Sequence, residues 1–191
     1  MSAGIAILFI AAAAVMFFIY KKPRSPDESA WVSMAAMPDL TFKNSDGQDI
    51  SVSSLRGRPV IFHIWASWCA LCVQEISSFA ALEKEFGGRL VVVEVNRRES
   101  SEIVKKYAVS YRCCDSSAVS YGCCDMSADA LDAEHRLIFV ADSGDALYKE
   151  IGGFSMPETI FVDASGVIRD HARGRMNATE IKRRIQDSFG L

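Results

Sequence analysis

The sequence has no excess of positive charge and no stripe of basic residues interleaved with aromatic ones. Its 191 residues include 21 lysines and arginines against 24 aspartates and glutamates, which gives a formal net charge of −3. Proteins that bind nucleic acid usually cluster lysine and arginine along one face to contact the phosphate backbone. The composition therefore argues against nucleic acid as a partner.

Charge is absent altogether from one long stretch near the N-terminus. Residues 4–20 (GIAILFIAAAAVMFFIY) carry no charged side chain, and no persuasive small-x-small cleavage site follows closely. A helix needs about 17 to 25 apolar residues to cross a bilayer, so this stretch meets the lower limit. We predict that residues 1–20 form a single transmembrane helix, as a membrane anchor or signal-anchor, and that residues 21–37 form a linker. A cleaved signal peptide and a buried core helix are the alternatives.

The charges that flank this stretch and the cysteine count point to opposite sides of a membrane. Lys21, Lys22 and Arg24 follow the apolar stretch, and positive residues tend to stay on the cytoplasmic side of a spanning helix. Six cysteines, however, are many for a reducing compartment, where disulfides rarely persist. The cysteines thus favour a domain outside the cytoplasm, and the flanking charges favour the opposite orientation.

The rest of the sequence predicts one α/β domain with a mixed central sheet flanked by helices. A turn at Asp46-Gly47 joins two short strands into an N-terminal β-hairpin, and apolar runs at 59–65 and 90–95 are typical of strands buried on both faces. Helical spacing of apolar residues predicts helices at 69–86 and 99–107. The C-terminal part predicts a strand at 137–141, a short helix at 146–151, a hairpin of strands at 159–163 and 167–173, and a final helix from Asn177.

Chemistry is indicated most strongly by the sequence ASWCALC, which lies between a buried strand and an amphipathic helix. This context places Cys69 at the first turn of the helix and Cys72 one turn later. Unpaired N–H groups and the positive end of the helix dipole favour thiolate there, and cysteines in such places have pKa values of about 3.5 to 7.5. Cys69 can then attack a disulfide of a partner, and Cys72 can resolve the mixed disulfide. Half of a zinc site, which needs two further ligands, and two unreactive buried cysteines are the alternatives.

Longer segments around this motif resemble a known family. GRPVIFHIWASWCALCVQEISSFAALEKEF, LVVVEVNRRES and GGFSMPETIFVDASGVI are similar to the membrane-anchored TlpA/ResA branch of the thioredoxin superfamily, in its redoxin and AhpC/TSA-like group. The resemblance covers residues 38–191 and implies a thioredoxin-like fold. It also implies that Cys69 is the nucleophile, that Cys72 is the resolving cysteine, and that no cofactor is needed beyond the redox-active disulfide between them.

The resemblance assigns further residues to the site. In this family a cis-proline lies opposite the cysteines, and SMPET places it at Pro157, preceded by Met156. The residue before the proline offers its backbone to the substrate, so Met156, Pro157 and Trp68 are expected to bind the partner. A carboxylate three residues after the second cysteine is a feature of the ResA branch, and Glu75 occupies that position. One helical turn from Cys72, it can hold a proton during exchange; a solvated helix residue is the alternative.

Two features depart from the family pattern. The dipeptide between the cysteines is Ala70-Leu71, without the proline that is frequent there in the family. This dipeptide helps to set the redox potential, so the direction of electron flow in the family cannot be assumed for this chain. His63 lies six residues before Cys69, where thioredoxins have a buried acid and this branch often has asparagine. It can exchange a proton with Cys72 near neutral pH. We favour the alternative, a core histidine that is hydrogen-bonded to the backbone.

Four of the six cysteines lie in a duplicated block. Residues 108–117 (AVSYRCCDSS) and 118–127 (AVSYGCCDMS) are identical at eight of ten positions. We predict that the copy enlarges a loop at about 108–127. The Cα atoms of adjacent cysteines are about 3.8 Å apart, below the usual range of about 4.4 to 6.8 Å for a disulfide, so bonds between the copies are easier than bonds within a pair. Structural disulfides are favoured; a four-thiolate metal site, an auxiliary redox relay and no defined role are the alternatives for Cys113, Cys114, Cys123 and Cys124.

Together these features predict a tethered protein-disulfide oxidoreductase whose domain lies outside the cytoplasm. The resemblance implies a reductase that acts on a substrate protein with a disulfide or dithiol, of the cytochrome c maturation or copper-site type. It also implies an integral-membrane thiol electron donor as a second partner. The alternatives are a thiol peroxidase of the redoxin group and a metal-binding or interaction module that uses the extra cysteines.

Overall fold

The computed structural model describes residues 35–112 and 137–191 of the chain. The predicted N-terminal helix, the linker up to residue 34 and the four cysteines of the duplicated block lie outside these ranges. Within the described ranges, no helix is long and apolar enough to cross a bilayer. The transmembrane helix therefore stays a prediction, as do the domain bounds.

A mixed sheet of seven strands forms the centre of the domain, in the order β2-β1-β5-β4-β3-β6-β7. Its strands are β1 (Thr41–Asn44), β2 (Asp49–Ser51), β3 (Val60–Trp65), β4 (Val91–Arg97), β5 (Ile138–Asp142), β6 (Glu158–Val162) and β7 (Ile168–Arg173). The neighbours β3, β4 and β5 are parallel, and the other pairs are antiparallel. The predicted N-terminal hairpin is confirmed, since β1 and β2 pair across the turn at Gly47.

Strand β3 lies in the interior of the sheet and leads into the cysteine motif. All six of its residues are buried, and it pairs with β4 on one side and β6 on the other. Burial on both faces explains why this strand is a continuous apolar run instead of an alternating pattern. Successive side chains point to opposite faces, so His63 shares a face with Ile61 and Trp65.

Three helices cover the face that carries His63. They are α1 (Ala70–Phe86), α2 (Ser101–Arg112) and α4 (Ala178–Phe189), and they pack through Ile76, Phe79, Val104, Ala108, Ile181 and Ile185. The opposite face is covered by α3 (Ala146–Glu150) and a short 3₁₀ helix (Val52–Leu55), which contribute Leu147 and Val52 to a second core. The site therefore lies on the more heavily covered face, where side chains below the cysteines are shielded from water.

Helix α2 is longer than the sequence predicted. It ends at Arg112 instead of Tyr107, so residues 108–112 are helical and the predicted loop of 108–127 was wrong at its start. The reason is that Ala108 continues the apolar spacing of Val104 and packs in the core that contains Phe139. The remainder of that segment lies outside the described residues.

Local signals explain where helix α4 begins and where helix α1 ends. The side chain of Asn177 accepts a hydrogen bond from the Glu180 N–H at 2.9 Å, as the spacing of these residues predicts. Helix α1 ends at Gly87, which has a left-handed φ of 56° and donates to the Glu83 carbonyl. Glycine is the usual residue in this conformation because it has no Cβ. The start of α4 and the end of α1 are thus encoded by local residues.

Candidate active site

The junction between β3 and α1 places a disulfide at the N-terminus of a helix. Cys69 and Cys72 are bonded at an S–S distance of 2.02 Å, with their Cα atoms 5.3 Å apart. Cys69 is the N-cap of α1, and its Sγ accepts a hydrogen bond from the Cys72 N–H at 3.3 Å. The same N–H, together with the helix dipole, would stabilise a Cys69 thiolate once the bond is reduced.

The two cysteines differ in exposure, and the difference separates their roles. Cys72 is fully buried, whereas Cys69 is half-buried and borders solvent. Trp65, Ile76 and Val104 enclose Cys72 from β3, α1 and α2. A partner can therefore reach only the Cys69 sulfur, which fits a nucleophile at Cys69 and a resolving thiol at Cys72.

A carboxylate from the other side of the site holds the loop that precedes Cys69. Glu99 accepts hydrogen bonds from the Ser67 N–H at 2.7 Å, the Ser67 hydroxyl at 2.6 Å and the Asn96 side-chain amide at 2.7 Å. Burial raises the pKa of Glu99, but these hydrogen bonds outweigh it and lower the pKa below its ordinary value. Glu99 is consequently ionised at neutral pH and fixes Ser67 two residues before the nucleophile.

His63 lies on the strand that leads to Cys69 and contacts two carboxylates. Its Nδ1 is 2.6 Å from Glu94 Oε2, and its Nε2 is 3.4 Å from Glu75 Oε2. All three side chains are fully buried, and Glu75 Oε1 accepts a hydrogen bond from the Met176 N–H at 2.8 Å. The prediction of a backbone-bonded histidine was wrong, since the partners of His63 are carboxylates. The alternative of a solvated Glu75 was wrong as well, because α1 turns this residue toward the core.

The close carboxylates reverse the effect of burial on His63. Burial lowers the pKa of the imidazole, but the charge of Glu94, together with the contacts to Glu75, raises the pKa to about 9. For Glu94, burial raises the pKa more than the contact with His63 lowers it, so the pKa is above its ordinary value. His63 therefore carries a positive charge at neutral pH.

A second buried histidine–carboxylate pair, on the opposite face of the sheet, organises the proline loop. The Met156-Pro157 peptide bond is cis, as the resemblance implies, and Met156 packs against the core that contains Cys72. Glu158 Oε1 accepts hydrogen bonds from the N–H groups of Phe154 and Ser155, each at 2.8 Å, and Glu158 Oε2 contacts His171 Nε2 at 2.7 Å.

These bonds also determine the charge of Glu158. Burial raises its pKa, but the hydrogen bonds from His171 and from the backbone of residues 154 and 155 hold the pKa below its ordinary value. Glu158 therefore stays ionised at neutral pH, and residues 154–157 are tied to the sheet by an anion.

Replacing Glu158 with glutamine should weaken the docking of protein substrates. Glutamine keeps one acceptor oxygen but loses the negative charge that strengthens the hydrogen bonds from residues 154 and 155. Hydrogen bonds to charged groups contribute about 1.5 to 3 kcal/mol, so we expect KM for a protein disulfide to rise about tenfold. Steady-state kinetics that separate KM from kcat test this, with the exposed Glu150→Gln as the control. An unchanged KM would show that Glu158 does not support the docking loop.

Exposed apolar side chains lie on the segments that carry the cysteines and the cis-proline. Trp68 is 67% exposed and Leu71 46% exposed, and both flank Cys69 in sequence. Phe154 is 68% exposed, two residues before Met156, and the Arg173 guanidinium lies over its ring at 4.7 Å from the centroid. Trp68, Met156 and Pro157 thus belong to the two loops nearest the disulfide, and Phe154 is an addition that the sequence did not suggest.

Several site residues escaped the sequence prediction. Glu94, Glu99, Glu158 and His171 contact predicted site residues or the loops that carry them, yet none was predicted. A signal existed for Glu94, since it is the only charged residue in the apolar run 90–95. No group of three or more metal-ligating side chains is found within residues 35–112 and 137–191. The four cysteines of the duplicated block lie outside those ranges, and their predicted roles stay predictions.

Comparisons with known proteins agree with this geometry. The AhpC/TSA family model matches residues 34–171. The thioredoxin-like protein YneN of Bacillus subtilis is 28% identical over 148 residues, which cover 78% of this chain and 75% of YneN. The thiol-disulfide oxidoreductase ResA of Bacillus subtilis is 30% identical over 106 residues, covering 55% of this chain and 59% of ResA. The thiol:disulfide interchange protein DsbE of Allochromatium vinosum is 25% identical over 185 residues, covering 94% of this chain and 87% of DsbE.

Solved structures share the fold. StoA from Bacillus subtilis matches 78% of this chain and 97% of its own, with a TM-score of 0.55 and 22% identity. A secreted Mycobacterium tuberculosis disulfide oxidoreductase homologous to DsbE matches 78% of this chain and 96% of its own, with a TM-score of 0.60 and 15% identity. The predicted thioredoxin-like fold and the ResA/TlpA-like resemblance are confirmed, and the protein is a protein-disulfide oxidoreductase of that type. The chain belongs to the AhpC/TSA family.

Proposed function

We propose that the protein reduces disulfides of partner proteins outside the cytoplasm. The observation that carries this proposal is the Cys69–Cys72 disulfide at the start of α1, in which one cysteine borders solvent and the other is fully buried. A pair with this asymmetry can form a mixed disulfide at one sulfur and release it with the other.

The reducing cycle begins with the dithiol. The Cys69 thiolate attacks one sulfur of the partner disulfide, the partner S–S bond breaks, and its other sulfur leaves as a thiolate with the electron pair. A mixed disulfide now joins Cys69 to the partner. The Cys72 thiol loses its proton and attacks Cys69 Sγ, which forms the Cys69–Cys72 bond and releases the second partner sulfur. Two electrons have passed from the dithiol to the partner.

The apolar surface formed by Trp68, Leu71 and Phe154 supports a protein as the partner. Exposed large apolar side chains around a reactive atom usually mark a binding surface for an apolar segment. In this proposal the partner lies across Trp68 and the backbone of Met156, with its cysteine over Cys69. The resemblance to the TlpA/ResA branch supports substrates of the cytochrome c maturation or copper-site type.

Location and electron supply belong to the same proposal. The cysteine content of the chain and its similarity to a secreted disulfide oxidoreductase support a domain outside the cytoplasm. Residues 1–20 anchor it to the membrane, and an integral-membrane thiol donor restores the dithiol. The positive charges after residue 20 oppose this orientation. It can be tested by fusing to the C-terminus a reporter enzyme that is active only outside the cytoplasm.

Parallel stopped-flow reactions test the proposed activity. The reduced full-length chain is mixed with a protein disulfide, such as that of insulin, and separately with hydrogen peroxide. We expect rapid oxidation of the pair by the protein disulfide and only the slow reaction of an ordinary thiol with peroxide. The opposite preference would identify a thiol peroxidase. Tightly bound metal in anaerobically purified protein, together with no disulfide reduction, would favour the metal-binding module.

A further inference from the structure

The cluster of His63, Glu75 and Glu94 brings three ionisable side chains together from three elements. Strand β3 supplies the imidazole, helix α1 and strand β4 supply the carboxylates, and none of the three side chains is exposed. Among the described residues, no group donates a hydrogen bond to Glu94 Oε1, and Glu75 Oε2 has only the longer contact with His63. Burying charges with incomplete pairing costs free energy. Stability alone therefore does not explain why the apolar strand β4 carries Glu94.

The charges of this cluster do not balance, and the distances show where the imbalance lies. One imidazolium faces two carboxylates, and its contact with Glu94 at 2.6 Å is shorter than its contact with Glu75 at 3.4 Å. Within residues 35–112 and 137–191, the charged groups that act on His63 are Glu94 and Glu75, and those that act on Glu94 are His63 and Glu75. Glu94 consequently takes the larger share of the positive charge of His63 and leaves Glu75 partly uncompensated.

Uncharged groups pack against His63, and the resolving cysteine lies on the same helix as Glu75. Phe79 of α1 packs against the imidazole at 4.8 Å, and the uncharged Thr159 of β6 is the register partner of His63. The Met176 N–H binds the other oxygen of Glu75. Cys72 lies three residues before Glu75 on the same helix and is equally buried, a spacing that places Cβ atoms about 5 to 6 Å apart.

We propose that Glu94 is a positioning residue that holds the positive charge of His63 and thereby leaves Glu75 able to accept the proton of the Cys72 thiol. This inference rests on the proposed function. In the resolving step the Cys72 proton passes to a Glu75 oxygen, and the Cys72 sulfur bonds to Cys69 Sγ. The bond between Cys69 and the partner sulfur breaks, and the partner sulfur leaves as a thiolate with the electron pair. The dithiol is oxidised and the partner is reduced, with no further reactant.

The test is the pH profile of the resolving step alone. In the full-length chain with the four other cysteines replaced by serine, the reduced protein reacts with 5,5′-dithiobis(2-nitrobenzoate). Attack by Cys69 releases one thionitrobenzoate, and attack by Cys72 on the resulting mixed disulfide releases a second. The rate of the second phase between pH 4 and pH 9 gives a midpoint for the group that accepts the proton.

The two partners of the ion pair should move this midpoint in opposite directions. Glu94→Gln makes Glu75 the sole counterion of His63, and a carboxylate paired with an imidazolium ionises at lower pH. We expect the midpoint to fall by about 1 to 3 pH units. His63→Asn removes the positive charge and leaves two buried carboxylates together, so the midpoint should rise. The double variant should lie between them.

A merely structural role would not produce shifts of opposite sign. Midpoints that stay in place, or that move in the same direction in both variants, would overturn the inference. The exposed Glu85→Gln on α1 is the charge control and should leave the midpoint unmoved. If Glu94→Gln does not fold, Glu94 is tested by comparing the double variant with His63→Asn, which differ only at this residue. We expect the lower midpoint in the double variant. Absence of the second phase in the protein with an intact cluster would instead contradict the proposed function.

Discussion

Replacing Cys72 with serine should stop turnover and leave the substrate protein bonded to Cys69. The reason is the difference in exposure: Cys69 borders solvent and can attack a partner, but only the buried residue one turn later can release it. A serine hydroxyl does not displace a thiolate from a disulfide, so the mixed disulfide should persist. Non-reducing electrophoresis should show an adduct that dithiothreitol removes, and mass spectrometry of that adduct would identify the partner.

Two variants make this result specific. Cys69→Ser removes the accessible sulfur and should form no adduct. The second is Cys72→Ser with the four cysteines of the duplicated block changed to serine, which should still trap the partner. If the adduct disappears in that background, the duplicated block and not Cys69 engages the substrate. Full turnover by Cys72→Ser alone would exclude the two-cysteine cycle.

The stability of the oxidised protein should fall as the pH rises from about 6.5 to 9. The pKa of His63 is about 9 in the folded state and 6.5 in a free side chain, so the folded chain binds more protons between these values. Its contribution to stability is fully present below pH 6.5 and is lost as the pH rises through 9. The expected loss is about 3 kcal/mol.

Denaturant unfolding at several pH values measures this loss. Free thiols should be alkylated first, so that thiol exchange at alkaline pH does not alter the protein. His63→Asn should be less stable at pH 6 and should show a much flatter dependence between pH 6.5 and 9. The exposed Glu85→Gln should keep the slope of the original chain. A steep decline that persists in His63→Asn would assign it to other groups.

The local features of this protein follow from nearby residues. The hairpin turn at Asp46-Gly47, the apolar run of β3, the cysteine spacing at the start of α1 and the cap at Asn177 each depend on neighbours within one or two turns. Such patterns arise from backbone geometry and the period of apolar residues, which a sequence displays directly. For that reason the mixed α/β fold and the pairing of Cys69 with Cys72 could be predicted from the residues, whereas the thioredoxin-like type of the fold and the cis-proline were predicted from the family resemblance.

The environment of the cysteines depends on contacts between distant parts of the chain. His63 and Glu94 are 31 residues apart and meet only because β3 and β4 pair in parallel register. Glu75 meets the backbone of Met176 across 101 residues. The interpretation of His63 as a backbone-bonded core residue was wrong because no local pattern reveals which side chain a neighbouring strand presents. Sequence thus determined that Cys69 and Cys72 lie at the start of one helix at the spacing of a disulfide pair, whereas tertiary packing decided which charges meet at His63, since electrostatic interactions depend on distance in space and on exclusion of water.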